Sequence, residues 1–251
     1  MDQRELEFAA GAIRDADSAV ALTGAGVSTA SGIPDFRSAD GIWSEYDPES
    51  FHLSRFREDP AGFWRDRAAL VAEAFGDDVE PNAAHEALAR LEAAGELDGL
   101  VTQNVDGLHR AAGSEDPIAV HGDGSRVVCT GCGRRREADP VLDRVRDGEV
   151  PPTCKRCGEA LKPDVVLFGE QLPERALLRA RSLSESADAY LIAGSSLSVE
   201  PAASLPRTAA ERGATVVVVN LEPTPLSDRA EYDLRGDVTE VLPRLAEAVL
   251  A

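Results

Sequence analysis

The 251-residue sequence has little cysteine and lysine and no long apolar run. Its longest aliphatic run, residues 216–219, is much too short to cross a bilayer, so no membrane span is expected. The first residues carry charge and no apolar stretch, which predicts no signal peptide and a cytoplasmic protein. Four cysteines in a cytosolic chain of this size indicate metal binding or catalysis rather than disulfides.

Positive charge is also scarce. The chain has 45 acidic and 26 basic residues, for a net charge of −19, so we expect no direct binding to nucleic acid. Lys155 and Lys162 are the only lysines, and the other 24 basic residues are arginines. An acidic, lysine-poor surface is typical of proteins from a salt-loaded, halophilic cytoplasm, where salt screens self-repulsion. The codon bias of a GC-rich genome is the alternative explanation.

Short apolar segments alternate with helical patterns along the chain. The segments are apolar on both faces, as strands of a buried parallel sheet are. The sequence therefore predicts an α/β fold with a doubly wound, Rossmann-like parallel sheet. The predicted strands are residues 19–23, 99–102, 118–120, 165–168, 190–193 and 215–219.

Two stretches interrupt this alternation and divide the chain. Residues 38–81 are rich in aromatic side chains and predict a helical and loop insertion that lines the substrate pocket. Residues 126–162 are rich in Cys, Arg, Gly and Pro and predict a small metal-binding module. Residues 1–37, 82–125 and 163–251 are left to form the Rossmann-like domain.

The four cysteines form two C-x-x-C pairs, Cys129 with Cys132 and Cys154 with Cys157. Four thiolates complete a tetrahedral Zn²⁺ site and leave no position for a reacting water. The pattern predicts one structural zinc ion that keeps the module folded. A redox-active dithiol is the alternative function of such pairs.

A glycine-rich loop, Gly24-Ala25-Gly26, follows the first predicted strand. Amides of such a loop bind pyrophosphate in dinucleotide-binding folds. The third glycine of the common fingerprint is absent, and no obvious second strand follows to carry the ribose-binding acid expected about 20 positions later. A dehydrogenase that transfers hydride is therefore a poor fit.

A longer reading of the sequence gives a specific resemblance. The motifs GAGVSTASGIPDFRS (24–38), TQNVDGLH (102–109), HG (121–122), KPDVVLFGE (162–170), GSSLSVEPAA (194–203) and VNLEPTP (219–225) occur in this order around the cysteine pairs. The set resembles the sirtuins, the NAD-dependent protein lysine deacylases. The resemblance spans about residues 3–248 and implies NAD as co-substrate.

The resemblance also implies how NAD is held. Phe36 is expected to shield the ribose C1′ from water, Asp35 and Ile33 to form the nicotinamide pocket, and Arg37 to contact the phosphates. Without the family context, Phe36 could be a core residue and Arg37 a surface charge. The full set implied for the cofactor is Gly24, Ala25, Gly26, Thr29, Ile33, Asp35, Phe36, Arg37, Gln103, Asn104, Val105, Asp106, Ser195, Ser196, Asn220, Glu222 and Val238.

Three polar residues are implied in catalysis. His121 is the general base by resemblance, and an imidazole suits this role because its pKa lies near neutrality. Asn104 is expected to position the ribose and a water, and Asp106 to support the nicotinamide pocket. Outside this context, both could equally be turn formers after a strand.

The resemblance also implies that the substrate is an acyl-lysine protein or peptide, which is expected to bind as an added β-strand. Family members that prefer succinyl or malonyl groups carry a Tyr and an Arg three residues apart, and counting from Trp64 places Arg67 and Leu70 there. Because a buried carboxylate without its Arg is costly, we predict a preference for uncharged acyl groups, chiefly acetyl, although Arg67 leaves an acidic group possible. The residues implied for the substrate are Arg67, Leu70, Val166, Leu167, Phe168, Gly169 and Val199.

Other functions compete with lysine deacylation. A mono-ADP-ribosyltransferase would use the same NAD cleavage, but the set of Asn104, Asp106 and His121 favours the deacylase. A non-catalytic NAD sensor predicts loss of one of these residues. A nucleic-acid-binding zinc knuckle has the support of residues 134–136, three arginines, against the net charge of −19.

Overall fold

The computed structural model describes residues 2–36, 38, 41–76 and 79–251. Its larger sheet has six parallel strands, β1 (Ala19–Thr23), β2 (Gly99–Thr102), β3 (Ile118–Ala119), β7 (Ala189–Ala193), β8 (Thr215–Asn220) and β9 (Tyr232–Arg235). They lie side by side in the order β3-β2-β1-β7-β8-β9. The chain leaves the centre through β2 and β3 and returns beside β1 at β7, so the strand order reverses between β1 and β7. Ligands of doubly wound sheets bind at such a reversal.

Helices cover both faces of this sheet, which confirms the doubly wound α/β prediction. On one face, α1 (Gln3–Arg14), α5 (Ala83–Ala94) and α10 (Val238–Val249) bury side chains such as Leu6, Leu88 and Leu245. On the other face, α8 (Glu174–Ser186) and α9 (Ser204–Arg212) bury Ala180 and Leu205. The remaining helices are α2 (Ile42–Glu45), α3 (Leu53–Glu58), α4 (Pro60–Ala74), α6 (Leu108–Ala111) and α7 (Asp139–Arg146).

A second, antiparallel sheet has the strand order β5-β4-β6. Its strands are β4 (Gly122–Cys129), β5 (Arg135–Glu137) and β6 (Leu161–Val165). A third core joins this sheet to α4 and α7 through Trp64, Leu142 and Leu161. The indole Nε1 of Trp64 donates to the carbonyl of Leu161 at 2.8 Å, which fixes α4 against β6.

The strand predicted at residues 165–168 is wrong. The structure has instead β6, which ends at Val165 and pairs with β4 outside the parallel sheet. Residues 166–168 continue as an irregular segment whose Phe168 forms an isolated bridge with His52. The apolar pattern is the same for a strand of the parallel sheet and for a buried segment outside it, because burial of the side chains does not depend on which sheet the segment joins.

The other five predicted strands are confirmed to within a residue. The edge strand β9 was not predicted, because its Asp233 and Arg235 interrupt the apolar pattern. Strands β4 and β6 cross the predicted boundaries at residues 126 and 162, and the division into domains stays a prediction. No helix in the described part of the chain is long and apolar enough to span a membrane.

Candidate active site

A cleft of about 1440 Å³ opens at the carboxyl ends of β1, β2, β7 and β8, where the strand order reverses. Its wall combines loops of the parallel sheet with aromatic side chains from residues 38–81 and with the segment after β6. It brings together residues that are far apart in sequence. The predicted site residues that line it are Gly24, Ala25, Gly26, Thr29, Asp35, Phe36, Arg67, Leu70, Gln103, Asn104, Val105, His121, Val166, Leu167, Phe168, Gly169, Ser195, Ser196, Val199, Asn220, Glu222 and Val238.

The glycine loop after β1 packs directly against the loop after β7. The amide of Gly26 donates to the carbonyl of Gly194 at 2.8 Å. A Cβ on Gly26 would lie 2.9 Å from the Gly194 Cα, and one on Gly194 would lie 2.5 Å from the Val27 amide nitrogen. Gly194 also has a φ of +57°, which disfavours any other residue. The two loops therefore form a close backbone cradle of the kind that a dinucleotide phosphate needs.

His121 follows β3 and lines the same cleft. Its Nδ1 lies 3.0 Å from the carbonyl oxygen of Gln103, at the end of β2. The Gln103 side chain continues across the cleft, where its Nε2 donates to Ser195 Oγ at 2.8 Å. The backbone and side chain of one residue thus connect the loops after β2, β3 and β7.

Asn104 is buried at the floor of the cleft. Its side-chain nitrogen Nδ2 donates to the Gly24 carbonyl and to Ser28 Oγ, each at 3.0 Å. Ser28 Oγ in turn donates to the Asp106 carboxylate at 2.7 Å. Asp106 does not line the cleft, and Ser28 Oγ links its carboxylate to Asn104.

Two buried histidines complete the network behind this floor. His85 Nδ1 accepts the amide of Asn82, so its Nε2, 3.4 Å from Ser28 Oγ, carries the proton. The rings of His85 and His109 meet edge-on with centroids 4.8 Å apart. Burial lowers the pKa of both imidazoles, that of His109 to about 3. Both are therefore neutral at physiological pH.

The ion pair of Lys162 with Glu170, called the clamp below, fixes the course of the segment after β6. Lys162 Nζ donates to the Val165 carbonyl at 2.7 Å and to Glu170 Oε2 at 2.9 Å. The same carboxylate oxygen accepts the amide of Leu167 at 3.0 Å. One ion pair therefore holds the beginning, middle and end of the segment.

The segment is also fastened to the insertion that precedes α3. The amide of Phe168 donates to the Phe51 carbonyl at 3.2 Å, and the Phe168 carbonyl accepts the amide of Leu53 at 2.9 Å. The Phe168 ring remains 40% exposed and lies 5.4 Å from the ring of Trp43. An apolar ring left half in the cleft is available to contact a ligand.

The four cysteines cluster at one end of the small sheet. Their sulfur atoms all lie within 4.8 Å of one another, and the Sγ atoms of Cys132 and Cys154 are 3.9 Å apart. Amides of Arg156 and Cys157 lower the pKa of the Cys154 thiol to about 6, which favours a thiolate ligand. A tetrahedral ion with bonds of about 2.3 Å to sulfur would fit this spacing.

Two predicted cofactor residues do not line the cleft, and a third lies outside the described part of the chain. Ile33 is buried beside the glycine loop, and Asp106 lies behind Ser28. Arg37 falls outside the described residues. Sequence reasoning also missed Ser28, Gly194 and the clamp of Lys162 with Glu170, although all of them stand inside the motifs quoted above.

Comparison with known proteins gives a consistent result. A model of the Sir2 family matches residues 24–201. An NAD-dependent protein deacetylase of Haloarcula marismortui is 53% identical over 249 residues, which cover 98% of this chain and 95% of that protein. A crystal structure of a Sir2 homologue with NAD aligns with a TM-score of 0.87 and 42% identity, over 100% of this chain and 94% of the other.

A further solved structure contains a peptide and a nucleotide. It is a Sir2 enzyme with a deacetylated p53 peptide and 3′-O-acetyl ADP-ribose, and it aligns with a TM-score of 0.89 and 36% identity over 98% of both chains. The family model covers well over half of this chain, and the relatives match it almost from end to end. The chain belongs to the Sir2 family, the sirtuins.

Proposed function

We propose that this chain removes acyl groups, chiefly acetyl, from lysine side chains of proteins with NAD as co-substrate. The amide bond to the lysine Nε breaks, and the acyl group passes to a ribose hydroxyl as nicotinamide leaves. One water is consumed, and the products are free lysine, nicotinamide and O-acyl-ADP-ribose. The observation that carries this proposal is the meeting of the Gly24–Gly194 cradle, Asn104 and His121 in one cleft.

The residues present fit NAD. The glycines let the loops after β1 and β7 pack backbone against backbone, at the strand ends where doubly wound sheets bind the phosphates of a dinucleotide. At the far end of the cleft, Asn220, Glu222 and Val238 are available to hold the adenosine half, and Asn220 Nδ2 is oriented by the Glu222 carbonyl at 2.8 Å. NAD supplies the ribose: nicotinamide leaves from its carbon, and one of its hydroxyl groups accepts the acyl group.

His121 is proposed as the general base. The Gln103 carbonyl can only accept a hydrogen bond, so the proton of the neutral imidazole is on Nδ1 and the basic nitrogen is Nε2. We propose that Nε2 accepts the proton of a ribose hydroxyl. Phe36, which stacks on Trp43 with ring centroids 5.5 Å apart, is proposed to keep water from the reacting carbon.

The peptide is proposed to lie between the segment after β6 and residues 198–200. Backbone pairing would give affinity without reading much sequence, so we expect broad substrate tolerance. The zinc ion is proposed for the four cysteines in a structural role, because the four sulfur atoms complete its coordination and leave no open position. We keep the expectations of a cytoplasmic protein without nucleic-acid partners.

A label in the adenine of NAD separates this function from ADP-ribosyl transfer. With an acetyl-lysine protein as substrate, deacylation leaves all the label in small molecules and removes the acetyl group. Label that stays on the protein, with the acetyl group intact, would instead establish a mono-ADP-ribosyltransferase. Reactions run at molar KCl keep the acidic chain in the ionic conditions that its composition indicates.

A further inference from the structure

Leu197 has a backbone conformation that a leucine disfavours. Its φ is +52°, and no other non-glycine residue in the described part of the chain has a positive φ. The left-handed region brings the Cβ of an L-residue close to the following carbonyl oxygen, so this region is mostly left to glycine. Such an outlier persists only where the surrounding structure enforces it, and outliers of this kind cluster at functional sites.

The side chain of Leu197 is what holds the residue in this conformation. It is 5% exposed and belongs to the core that α8 and α9 form with the parallel sheet. The residues on either side, Ser196 and Ser198, are exposed, and their hydroxyl oxygens lie 2.9 Å apart. A glycine here would permit the turn but would bury no side chain, so the leucine serves as an anchor for the turn.

The turn at Leu197 joins two parts of the cleft wall. Before it, Ser195 Oγ accepts the side-chain amide of Gln103 at 2.8 Å and the backbone amide of Leu197 at 3.3 Å. After it, Val199 and Glu200 line the cleft at the place proposed for the peptide. Leu197 therefore sets the direction in which the chain passes from the cofactor side of the cleft to the peptide side.

The far end of this peptide-side segment is held by α9 and the turn before it. The carbonyl of Val199 accepts the amide of Ala203 at 2.9 Å, and Glu200 forms an ion pair with Arg207. The turn at Leu197 is the corresponding support at the near end. A segment held at both ends keeps its backbone groups in place for an extended peptide, so less conformational entropy is lost on binding.

We propose that Leu197 is a positioning residue for the peptide: its buried side chain holds the left-handed turn, and the turn orients the backbone of residues 198–200 toward the substrate strand. This rests on the proposed function, which supplies the peptide. Leu197 does not line the cleft itself, so its effect on binding passes through the backbone of its neighbours. The backbone conformation at this residue, rather than the volume of its side chain, then determines the peptide affinity.

Two substitutions of similar volume separate conformation from packing. Leu197→Met keeps an apolar side chain without a branch at Cβ, whereas Leu197→Ile adds that branch, which the left-handed region tolerates worst. With an acetyl-lysine peptide at saturating NAD and molar KCl, the peptide KM of Leu197→Ile should exceed that of Leu197→Met by at least about fivefold, or about 1 kcal/mol. The KM for NAD should change less. The same two substitutions at Leu205, buried in the same core, should leave the peptide KM unchanged.

Glycine gives a second, independent test of the turn. Leu197→Ala and Leu197→Gly both remove the buried anchor, but glycine alone adopts a positive φ without steric cost. The peptide KM should therefore rise less in Leu197→Gly than in Leu197→Ala. A residue that only filled the core would show the opposite order or no difference, because glycine also adds freedom to the chain. Melting curves establish that each variant is folded at the assay temperature, and if Leu197→Ile is not, the order of Ala and Gly decides.

Equal peptide KM values for folded Leu197→Met and Leu197→Ile would overturn the positioning role. So would a KM for NAD that rises as much as the peptide KM, because the turn would then be a general stabiliser. The wild type in the same assay separates the two claims. If it removes acetyl and the variants show no such order, the deacylase stands and the positioning role is refuted. If it removes no acetyl group, the proposed function fails and the positioning role with it.

Discussion

The Nδ1 of His121 lies 3.0 Å from the backbone carbonyl of Gln103. Because a carbonyl accepts and never donates, this contact sets the tautomer of the imidazole and makes Nε2 its basic nitrogen. Gln103 itself is placed by the parallel sheet, since its amide donates to the Thr23 carbonyl at 3.0 Å. The chemistry assigned to His121 therefore depends on the register of β2 beside β1.

Replacing His121 tests its assigned role. His121→Ala should lower kcat for deacylation by about 10²–10⁴-fold, the usual contribution of a general base. The affinity for NAD should change little, because the cradle that binds the cofactor is built from other loops. Deacylated peptide is followed by mass spectrometry and NAD affinity by calorimetry. A variant that keeps a kcat within tenfold of the wild type would rule out this role.

The clamp of Lys162 and Glu170 should govern peptide binding. Lys162→Met removes the donor to Val165 and Glu170 and should raise the peptide KM by about tenfold, since hydrogen bonds to charged groups contribute about 1.5–3 kcal/mol. The KM for NAD should stay within about twofold. Lys162→Arg, which keeps a cationic donor, should restore much of the affinity, and Lys155→Met provides the control at an exposed lysine.

The opposite pattern would contradict the clamp's assigned role. If Lys162→Met changed both KM values equally, or only lowered the melting temperature, the ion pair would be a general stabiliser. A second variant, Glu170→Gln, tests the same segment without removing the lysine. It should raise the peptide KM less, because an amide oxygen still accepts the Leu167 amide.

Zinc removal should unfold the small sheet. The binding free energy of a structural zinc ion is also folding free energy, because the unfolded chain offers no preformed site. Chelation should therefore abolish activity and the near-ultraviolet signal of Trp64, which packs on β6. One zinc ion per chain is expected by metal analysis of the untreated protein. Metal-free protein that stays folded and active would refute the structural assignment.

The buried pair of His109 and His85 predicts acid sensitivity. Burial lowers the pKa of His109 to about 3, whereas an unfolded chain has a value near 6.5. The unfolded state therefore binds a proton that the folded state refuses between these two values. Stability should be full above about pH 6.5 and fall by about 1.4 kcal/mol per pH unit below it for this group.

The contribution of His109 can be isolated by substitution. His109→Asn should flatten the decline of the unfolding free energy between pH 6.5 and pH 4, measured by denaturant titration at molar KCl. His52→Asn is the matched control at a histidine outside this buried pair, and it should keep the wild-type slope. Parallel curves for the wild type and His109→Asn would show that His109 takes no part in the decline.

The charge of −19 predicts a dependence on salt. Between 1 M and 0.01 M KCl the screening length grows from about 3 to about 30 Å, so repulsion between acidic side chains extends over the surface. The melting temperature should fall as KCl is withdrawn. The similarity to a Haloarcula protein agrees with this expectation. A melting temperature indifferent to KCl would favour a biased genome composition as the cause of the lysine shortage.

The sequence predicted the strands best where both faces of a strand are buried, because all of its side chains are then apolar. Strands such as β1 and β8 are apolar on both faces, and their bounds followed from that alone. The segment after Val165 has the same apolar character, yet it belongs to no strand. Its course is decided by Lys162, Glu170 and the backbone of Phe51, which are contacts that an apolar pattern does not encode.

The site was predictable to a similar degree. Ordered motifs proposed Asn104, His121 and the four cysteines as site residues; the first two line one cleft, and the cysteines lie together at one end of the small sheet. The contact between Gly26 and Gly194 depends on how β1 and β7 lie side by side, and no local feature indicates it.

The stoichiometry of one reaction tests the central claim most directly. The protein is incubated at molar KCl with NAD and an acetyl-lysine peptide, and all products are quantified by mass spectrometry. The account predicts equal amounts of deacetylated peptide, nicotinamide and O-acetyl-ADP-ribose, and none of them when NAD is omitted. Deacetylation without NAD, with release of free acetate, would contradict it.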